Sequence, residues 1–228
     1  TRARAEKGDG IAQYNLGRMY VVGDGVPQDF EEGAKWYRKA AEQGDVDAQY
    51  NLGDMYVVGD GVPQDFEEAV KWFRKAAEQG DADAQYNLGN MFRSGEGVLQ
   101  DNKEAAKWYR KAAEQGDVDA QYNLGVIYYH GQGVEQDFKE AVEWFRKAAE
   151  QGDADAQHNL GKVYHTGEGV LKDHVAAYSW YNIAGANGDA DAKRSKSLVA
   201  RFMNPGQIAE AEELAKEMVK KNPKLINE

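Results

Sequence analysis

The sequence predicts an all-α protein, an α-solenoid of tandem helix–turn–helix repeats, and three observations predict it. The block Ala-Gln-Tyr-Asn-Leu-Gly begins at Ala12 and returns every 36 residues, with His158 in place of the tyrosine in the fifth copy. Each unit holds two stretches with helical spacing of apolar residues, separated by glycines. One such helix pair cannot bury its apolar face alone, whereas a stack of five can. The tryptophans keep the same period, at Trp36, Trp72, Trp108, Trp144 and Trp180.

The first helix of each unit is predicted from an apolar stripe and a glycine stop. In the first unit Ala12, Leu16 and Met19 lie at i, i+4 and i+7, so they share one face of a helix. We expect Gly23 to end the helix in the left-handed conformation that glycine adopts without steric cost. Asp45 is expected to cap the first helix of the second unit.

The second helix is predicted to start at a capping-box-like pair. Asp29 lies three residues before Glu32, and we expect the two to cap the helix together. Trp36 and its copies are expected in the core, and small residues such as Gly17 are expected to let neighbouring helices approach closely. Gly44 is expected to end the helix. The capping spacing recurs at Asp65/Glu68, Asp101/Glu104 and Asp137/Glu140.

The period divides the chain into five repeats and a different C-terminal part. The repeats are predicted at residues 8–43, 44–79, 80–115, 116–151 and 152–187, and residues 188–228 are predicted to form a degenerate sixth unit and a C-terminal capping helix. Asn204-Pro205 is typical of an N-cap followed by proline at the first helical position. Because a terminal unit needs a polar outer surface, we expect this helix to cover the last repeat. Its apolar stripe is Ile208, Ala211, Leu214, Ala215 and Met218.

Composition excludes several classes of function. The chain has no cysteine, which removes disulfides, thiolate metal ligands and cysteine nucleophiles. Its formal net charge is −11, the wrong sign for binding phosphate backbones, so nucleic acid is not an expected partner. No apolar run approaches the ~18 residues of a membrane span. Thr1 already lies in repeat-like sequence, so we expect a trimmed or mature form, periplasmic or secreted with its signal peptide removed, with the cytoplasm as the alternative.

The repeat resembles the Sel1-like repeat family, a relative of the tetratricopeptide repeats. The resemblance rests on Ala-x-x-x-Leu-Gly in the first helix, the Gly-x-Gly-Val turn, and the Trp and Ala-Ala-x-x-Gly of the second helix, over residues 8 to about 187. The fifth unit departs most, with Ile183 and Gly185 in place of Lys and Ala. The resemblance implies a right-handed superhelix with a concave inner face, and a bacterial or eukaryotic adaptor or scaffold. Cysteine-rich members are linked to β-lactam hydrolysis, but this chain lacks their cysteines.

The predicted function is a monomeric interaction scaffold that binds a protein or an extended peptide on its concave face, without catalysis, cofactor or metal. First-helix positions opposite the core stripe differ most between otherwise near-identical units, which favours tuning to a partner over free drift. In related repeats these positions line the ligand groove. The predicted groove residues are Tyr14, Asn15, Arg18, Val21, Val22, Tyr50, Asn51, Asp54, Val57, Val58, Tyr86, Asn87, Asn90, Arg93, Tyr122, Asn123, Val126, Tyr129, His130, His158, Asn159, Lys162 and His165.

Several groove positions carry specific expectations. The repeated tyrosines either face the ligand or pack between adjacent first helices. The repeated asparagines either hold the backbone of an extended peptide, as an Asn does in related repeats, or bond to a neighbouring helix. Tyr129 is expected to anchor a partner with little role in stability. Val21, Val22, Val57 and Val58 are expected to form an exposed apolar patch.

The histidines all lie in the fourth and fifth units, and they raise an alternative. A site of His130, His158 and His165 for a metal is one interpretation, but no metal-binding motif surrounds them, and we predict no metal. The alternative function is binding of a small molecule or a glycan, with or without catalysis, at a site formed by these histidines with Tyr122 and Tyr129. A purely structural spacer is the third alternative.

Overall fold

The computed structural model describes residues 1–226, and these are helical with no strand among them. The chain forms two compact units, Thr1–Gln115 and Gly116–Glu228. The prediction of an all-α chain of tandem two-helix repeats is therefore confirmed. Within the described residues, no helix combines the length and the apolar character needed to cross a membrane.

The first compact unit holds seven helices. The short helix α1 packs against α2 in the way that the end of a second helix packs against the next first helix. The helices α2 to α7 then stack in sequence as three pairs. The helices are α1 (Arg2–Glu6), α2 (Gly10–Val22), α3 (Phe30–Glu42), α4 (Val46–Val58), α5 (Phe66–Glu78), α6 (Ala82–Ser94) and α7 (Asn102–Glu114).

The described residues of the second compact unit, 116–226, form six α-helices and two 3₁₀ turns, Ala200–Phe202 and Pro223–Leu225. Its pairs α8/α9 and α10/α11 repeat the arrangement of the first unit. The helices are α8 (Val118–His130), α9 (Phe138–Glu150), α10 (Ala154–Thr166), α11 (His174–Ala186), α12 (Ala190–Val199) and α13 (Pro205–Lys221).

The helix ends follow the predicted caps with one difference. Asp45 accepts a hydrogen bond from the Ala48 amide, and Gly23 ends α2 at φ 74°, as expected. Asp29 accepts from the Glu32 amide, but the Glu32 carboxylate bonds to Lys35 and does not return to the cap. A reciprocal capping box is present at the start of α13, where Asn204 and Gln207 bond each other's backbone.

The tryptophans lie in the core, as predicted. In addition, a glycine in each first helix lies directly against an aromatic ring of the second helix. At Gly89 an added Cβ would lie 2.8 Å from Cδ1 of Tyr109, which is fully buried. Gly53 meets Phe73 in the same way. The absence of a side chain at this position sets the spacing of the two helices, because any larger residue would push the ring away.

Gly89→Ala is therefore expected to destabilise the protein by about 1–2 kcal/mol, since the strain of overpacking exceeds the gain in helix propensity. Gly10→Ala is the matched control, because its Cβ would meet Gln43 at an ordinary 3.6 Å. Chemical denaturation should show a lower midpoint for Gly89→Ala and an unchanged or higher one for Gly10→Ala. Equal midpoints would contradict the close approach.

Within each compact unit, a ladder of buried glutamines joins successive repeats, which was not predicted from the sequence. Gln85 donates to the Ala77 carbonyl at 3.0 Å and accepts from Gln115 at 2.8 Å. The Ala77 carbonyl lies at the end of the preceding second helix, where carbonyls have no partner within the helix. Gln49 bonds Ala41 and Gln157 bonds Ala149 in the same way, so within each compact unit a buried glutamine satisfies the end of the preceding second helix. The column is Gln13, Gln49, Gln85, Gln121 and Gln157, all buried.

The C-terminal arm, residues 204–226, differs from a further repeat. Helix α12 lies against α11 as a first helix of a sixth unit would, but α13 packs mainly on α11 and not on α12. The Leu225 carbonyl accepts from Gln157 and from Asn187, which anchors the arm to α10 and to the end of α11. The predicted capping helix is present, and it covers the outer side of α11.

Candidate functional site

The predicted groove residues lie on the first helices, and we call the side of these helices that carries them the first-helix face of each compact unit. In the first compact unit it is carried by α2, α4 and α6, and in the second by α8 and α10. In two of the three columns that vary most, those of Arg18 and Val22, most members are exposed, whereas in the column of Val21 only Arg93 is exposed. The exposed members are Asn15, Arg18, Val22, Asp54, Val58, Arg93, His130 and Lys162.

The tyrosine column packs within each repeat. Tyr14 stacks on Tyr37 of its own second helix, with ring centroids 5.7 Å apart. Tyr50 lies 5.8 Å from Phe73, and the same contact recurs between Tyr86 and Tyr109 and between Tyr122 and Phe145. These tyrosines are half-buried. They contact the second helix of their own pair, not an adjacent first helix as one expectation had it, and their role toward a ligand stays a prediction.

Three members of the asparagine column bond to their own helix. The side-chain amide of Asn51 donates to the Asp47 carbonyl at 2.7 Å, and Asn123 donates to Asp119 at 2.8 Å. Asn15 makes the same bond to Ile11. Asn87 bonds the Tyr50 side chain of the preceding first helix, which is the expected bond to a neighbouring helix, and the peptide clamp stays a prediction. Each amide keeps its oxygen as a second polar group for another partner.

The expected valine patch is smaller than predicted. Val22 and Val58 are 61% and 58% exposed, whereas Val21 and Val57 are half-buried. Val21 packs against α3, where a Cβ at Gly33 would lie 2.6 Å from its Cγ2. Ile11, 69% exposed at the start of α2, is an apolar residue on this helix that the sequence analysis did not single out.

A cavity of about 130 Å³ lies on the first-helix face between α4 and α6. Phe66, Phe73 and Met91 contribute apolar lining, and Asp54 and Glu96 contribute carboxylates. Burial raises the pKa of the Asp54 carboxyl, and the neighbouring Asp60 raises it further. The remaining lining residues are Val57, Asn87 and Asn90, and Asn90 accepts a hydrogen bond from the Tyr109 hydroxyl at 2.6 Å.

Tyr129 is held in a cluster of the second compact unit. Its hydroxyl donates to Glu168 at 2.7 Å, and its ring lies 5.3 Å from Phe138. The Lys162 ammonium sits 4.5 Å from the ring centroid. Burial, then the bond to Glu168, raises the pKa of Tyr129 to about 12. Because it packs on both sides, the expectation that Tyr129→Ala would leave stability intact is wrong.

Tyr129→Phe is expected to cost about 1–2 kcal/mol at neutral pH, because a hydrogen bond to a charged acceptor is lost. The bond lowers the pKa of Glu168 below its ordinary value, so its contribution is present at neutral pH. The contribution fades as the pH falls through that lowered pKa. Denaturation at several pH values should show the difference shrinking in acid. In a Glu168→Gln background, the effect of Tyr129→Phe on stability should no longer depend on pH. A pH dependence that persists there would contradict the assignment of the hydrogen bond to Glu168.

The three histidines of the alternative site have separate partners. His158 contacts Asp189 through Nδ1 at 3.0 Å and Ser195 through Nε2 at 3.3 Å. His165 packs against His174, and burial, then His174, lowers the pKa of His165. His130 is exposed beside Tyr129. Among the described residues, no group of three or more His, Cys, Asp or Glu side chains could hold a metal ion.

Comparison with known proteins identifies the repeats. The Sel1 repeat family matches five consecutive segments, residues 10–45, 46–81, 82–117, 118–153 and 154–189. A Sel1 repeat protein from Oxalobacter formigenes has a similar structure, with a TM-score of 0.79 and 38% identity over 92% of this chain and 88% of that one. No curated protein sequence matches at a significant level.

Two further bacterial structures share the architecture less closely. A putative Sel1 repeat protein from Klebsiella pneumoniae has a TM-score of 0.50 and 26% identity over 86% of this chain and 96% of that one. The protective antigen c5321 of uropathogenic Escherichia coli, which has an SLR fold, has a TM-score of 0.50 and 29% identity over 97% of this chain and 63% of that one. All three of these similar structures are of bacterial proteins.

The stacked helix pairs define a helical-repeat protein of the tetratricopeptide-like class. Within that class, the chain belongs to the Sel1 repeat family. Proteins of this family are generally protein-interaction scaffolds, and they are generally not catalytic.

Proposed function

We propose that this protein is an interaction scaffold that binds a protein or an extended peptide on its first-helix face. The observation that carries the proposal is the coincidence of exposure and variation on that face. Arg18, Asp54 and Lys162 occupy the same exposed position in three repeats, with three different chemistries. The exposed side of the second helices instead repeats the same ions, such as Lys39 and Lys75 above their tryptophans.

The first-helix face offers contacts of the kinds that hold a protein ligand. The exposed Val22 and Val58 supply apolar surface, which commonly marks contact sites. The cavity between α4 and α6 combines an aromatic lining with the carboxylates of Asp54 and Glu96, which fits a basic side chain of the partner. The free oxygens of the asparagine column would accept hydrogen bonds from a peptide backbone.

We propose binding in preference to catalysis because the repeated carboxylates already serve the fold. Asp9, Asp45 and Asp81 each accept a backbone amide at the start of a first helix. A residue that caps a helix in every repeat is explained by folding alone. The aromatic residues proposed for a glycan site are likewise engaged, since Tyr122 lies against Phe145 and His158 against Tyr181.

Affinity capture with the native chain and with two of its variants as baits tests the proposal. Val58→Asp places a charge on an exposed apolar residue of α4, so partner binding should weaken by roughly tenfold or more while the melting temperature stays near that of the native chain. Calorimetry with the captured partner measures the affinity, and thermal unfolding measures the fold.

Lys35→Ala on α3 is the control bait. Lys35 is exposed on a second helix, where it pairs with Glu31 and Glu32. Because exposed ion pairs contribute little, the change should leave both stability and partner affinity nearly unaltered. If Lys35→Ala weakens binding while Val58→Asp does not, the partner uses the second-helix surface and the proposal is wrong.

A further inference from the structure

Helix α11 lacks the charged outer surface of the other second helices. Where the first four repeats carry Arg38, Lys39, Glu42 and their copies, α11 carries Asn182, Ile183 and Ala186. The C-terminal arm covers part of this apolar surface. Its Ala211 carbonyl accepts from the buried Ser179, and Ile183 is 2% exposed beneath it. Ala186 stays exposed beyond the covered part.

The uncovered part forms a cavity of about 390 Å³ between α11 and α13. Ile183 and Ala186 line it from α11, Ala215 and Val219 line it from α13, and Ile226 lines it from the end of the arm. A mainly apolar cavity of roughly 300–1,000 Å³ with a few polar groups is the usual form of a small-molecule site. No residue of the first-helix face lines this cavity.

The mouth of this cavity is cationic in a protein of net charge −11. In the described part of the chain, the charged side chains that line it are Lys216 and Lys220. Lys196 of α12 adds a third ammonium, because its Nζ donates at 2.9 Å to Asn182, which also lines the cavity. Glu213 pairs with Lys216 at 3.2 Å on the solvent side, which leaves a local excess of positive charge.

We propose that this cavity binds a free, medium-chain carboxylate with a single acyl tail. The tail would lie on Ile183 and Val219, where its burial removes apolar surface from water. The carboxylate would lie between Lys216 and Lys220, one helical turn apart on the same face of α13. A partner helix is less suited to the site, because a helix-binding groove must present anchors over several turns.

Decanoate is the probe for this site. Calorimetric titration of the full chain with decanoate below its micelle concentration is expected to show one saturable site. Decanol and decyltrimethylammonium, which keep the tail and change the head group, should bind roughly tenfold more weakly or not at all. Ala186→Phe fills the cavity from an exposed position, so it should weaken decanoate binding by roughly tenfold or more without lowering the melting temperature.

Lys220→Glu and Lys221→Glu form a matched pair. Lys220 lines the cavity, whereas the adjacent Lys221 lies 3.7 Å from Glu217 and is 80% exposed. Lys220→Glu should weaken decanoate binding by roughly fivefold or more, and Lys221→Glu should leave it within about twofold.

Three results would overturn the proposal: no saturable binding of decanoate, equal binding of decyltrimethylammonium, or full binding by Ala186→Phe. Recruitment to phosphatidylglycerol vesicles without binding of free decanoate would also overturn it, in favour of a membrane surface. None of these results depends on partner binding at the first-helix face, so either proposal can fail without affecting the other.

Discussion

Trp72→Ala is expected to lower the free energy of unfolding by about 3–5 kcal/mol, because the surrounding helices cannot refill the space of the lost ring. Trp72 lies in α5 with 6% of its surface exposed. Lys75 covers the ring, with Nζ 3.9 Å from its centroid, so the change also removes a cation–π contact. Chemical denaturation followed by circular dichroism measures the loss.

Trp72→Phe is the control for this change. The indole Nε1 of Trp72 is buried without a hydrogen-bond partner among the described residues, so phenylalanine forfeits no hydrogen bond. It also keeps part of the aromatic burial, and the loss of stability should be clearly smaller. An unchanged midpoint for Trp72→Ala would contradict the placement of the tryptophan column in the core.

Deleting residues 204–228 is expected to destabilise the protein by at least about 3 kcal/mol, because large apolar side chains lose burial worth about 1.5–3 kcal/mol each. Leu225, 3% exposed, is removed from the core. Ser179 and Gln157 lose the Ala211 and Leu225 carbonyls as acceptors but keep those of Val175 and Ala149. Ile183, now 2% exposed, would also be uncovered. Denaturation and gel filtration should show a lower midpoint and self-association.

Leu225→Ala separates the packing of the arm from its hydrogen bonds. It removes a side chain that is 3% exposed and keeps the backbone carbonyl that accepts from Gln157 and Asn187. We expect a smaller loss of stability than from the deletion, and no self-association. A truncated chain that is monomeric and as stable as the full one would show that the arm is an independent tail.

The repeat architecture could be predicted because each signal is local. Asp29 and Asp45 precede helical stripes, and their side chains cap the helices that follow. Gly23 follows a stripe and ends it with a positive φ. Such features depend on a few neighbouring residues, so a single repeat of the sequence contains the information, and its recurrence every 36 residues removes ambiguity.

The features that could not be predicted depend on contacts between distant residues. Gln85 lies in the constant block, but nothing in its neighbourhood indicates that it bonds Ala77 of the preceding helix and Gln115 at the end of its own repeat. The apolar stripe of α13 predicts that one face is buried without saying which helix covers it. Ile183 could have indicated that helix, since it replaces a surface lysine on α11.

The first-helix face could be predicted as a surface, but its details could not. Helical spacing places Arg18 and Val58 away from the core, and both are exposed. Tyr129 occupies the same kind of position, yet it bonds Glu168 and packs on Phe138, because residues outside its own helix supply those contacts. Spacing along one helix identifies which side a residue faces, and tertiary packing decides whether that side is covered.

Carboxyl footprinting of the chain, alone and with its captured partner, tests the central claim most directly. The method labels exposed carboxylates, and the chain carries exposed carboxylates on its first helices and on its second helices. If the partner binds at the first-helix face, it should reduce labelling of Asp54 on α4 and of Glu96 beside it. Labelling of Glu67 and Glu78 on α5 should stay unchanged. Protection of Glu67 and Glu78 with unchanged labelling of Asp54 would contradict binding at the first-helix face.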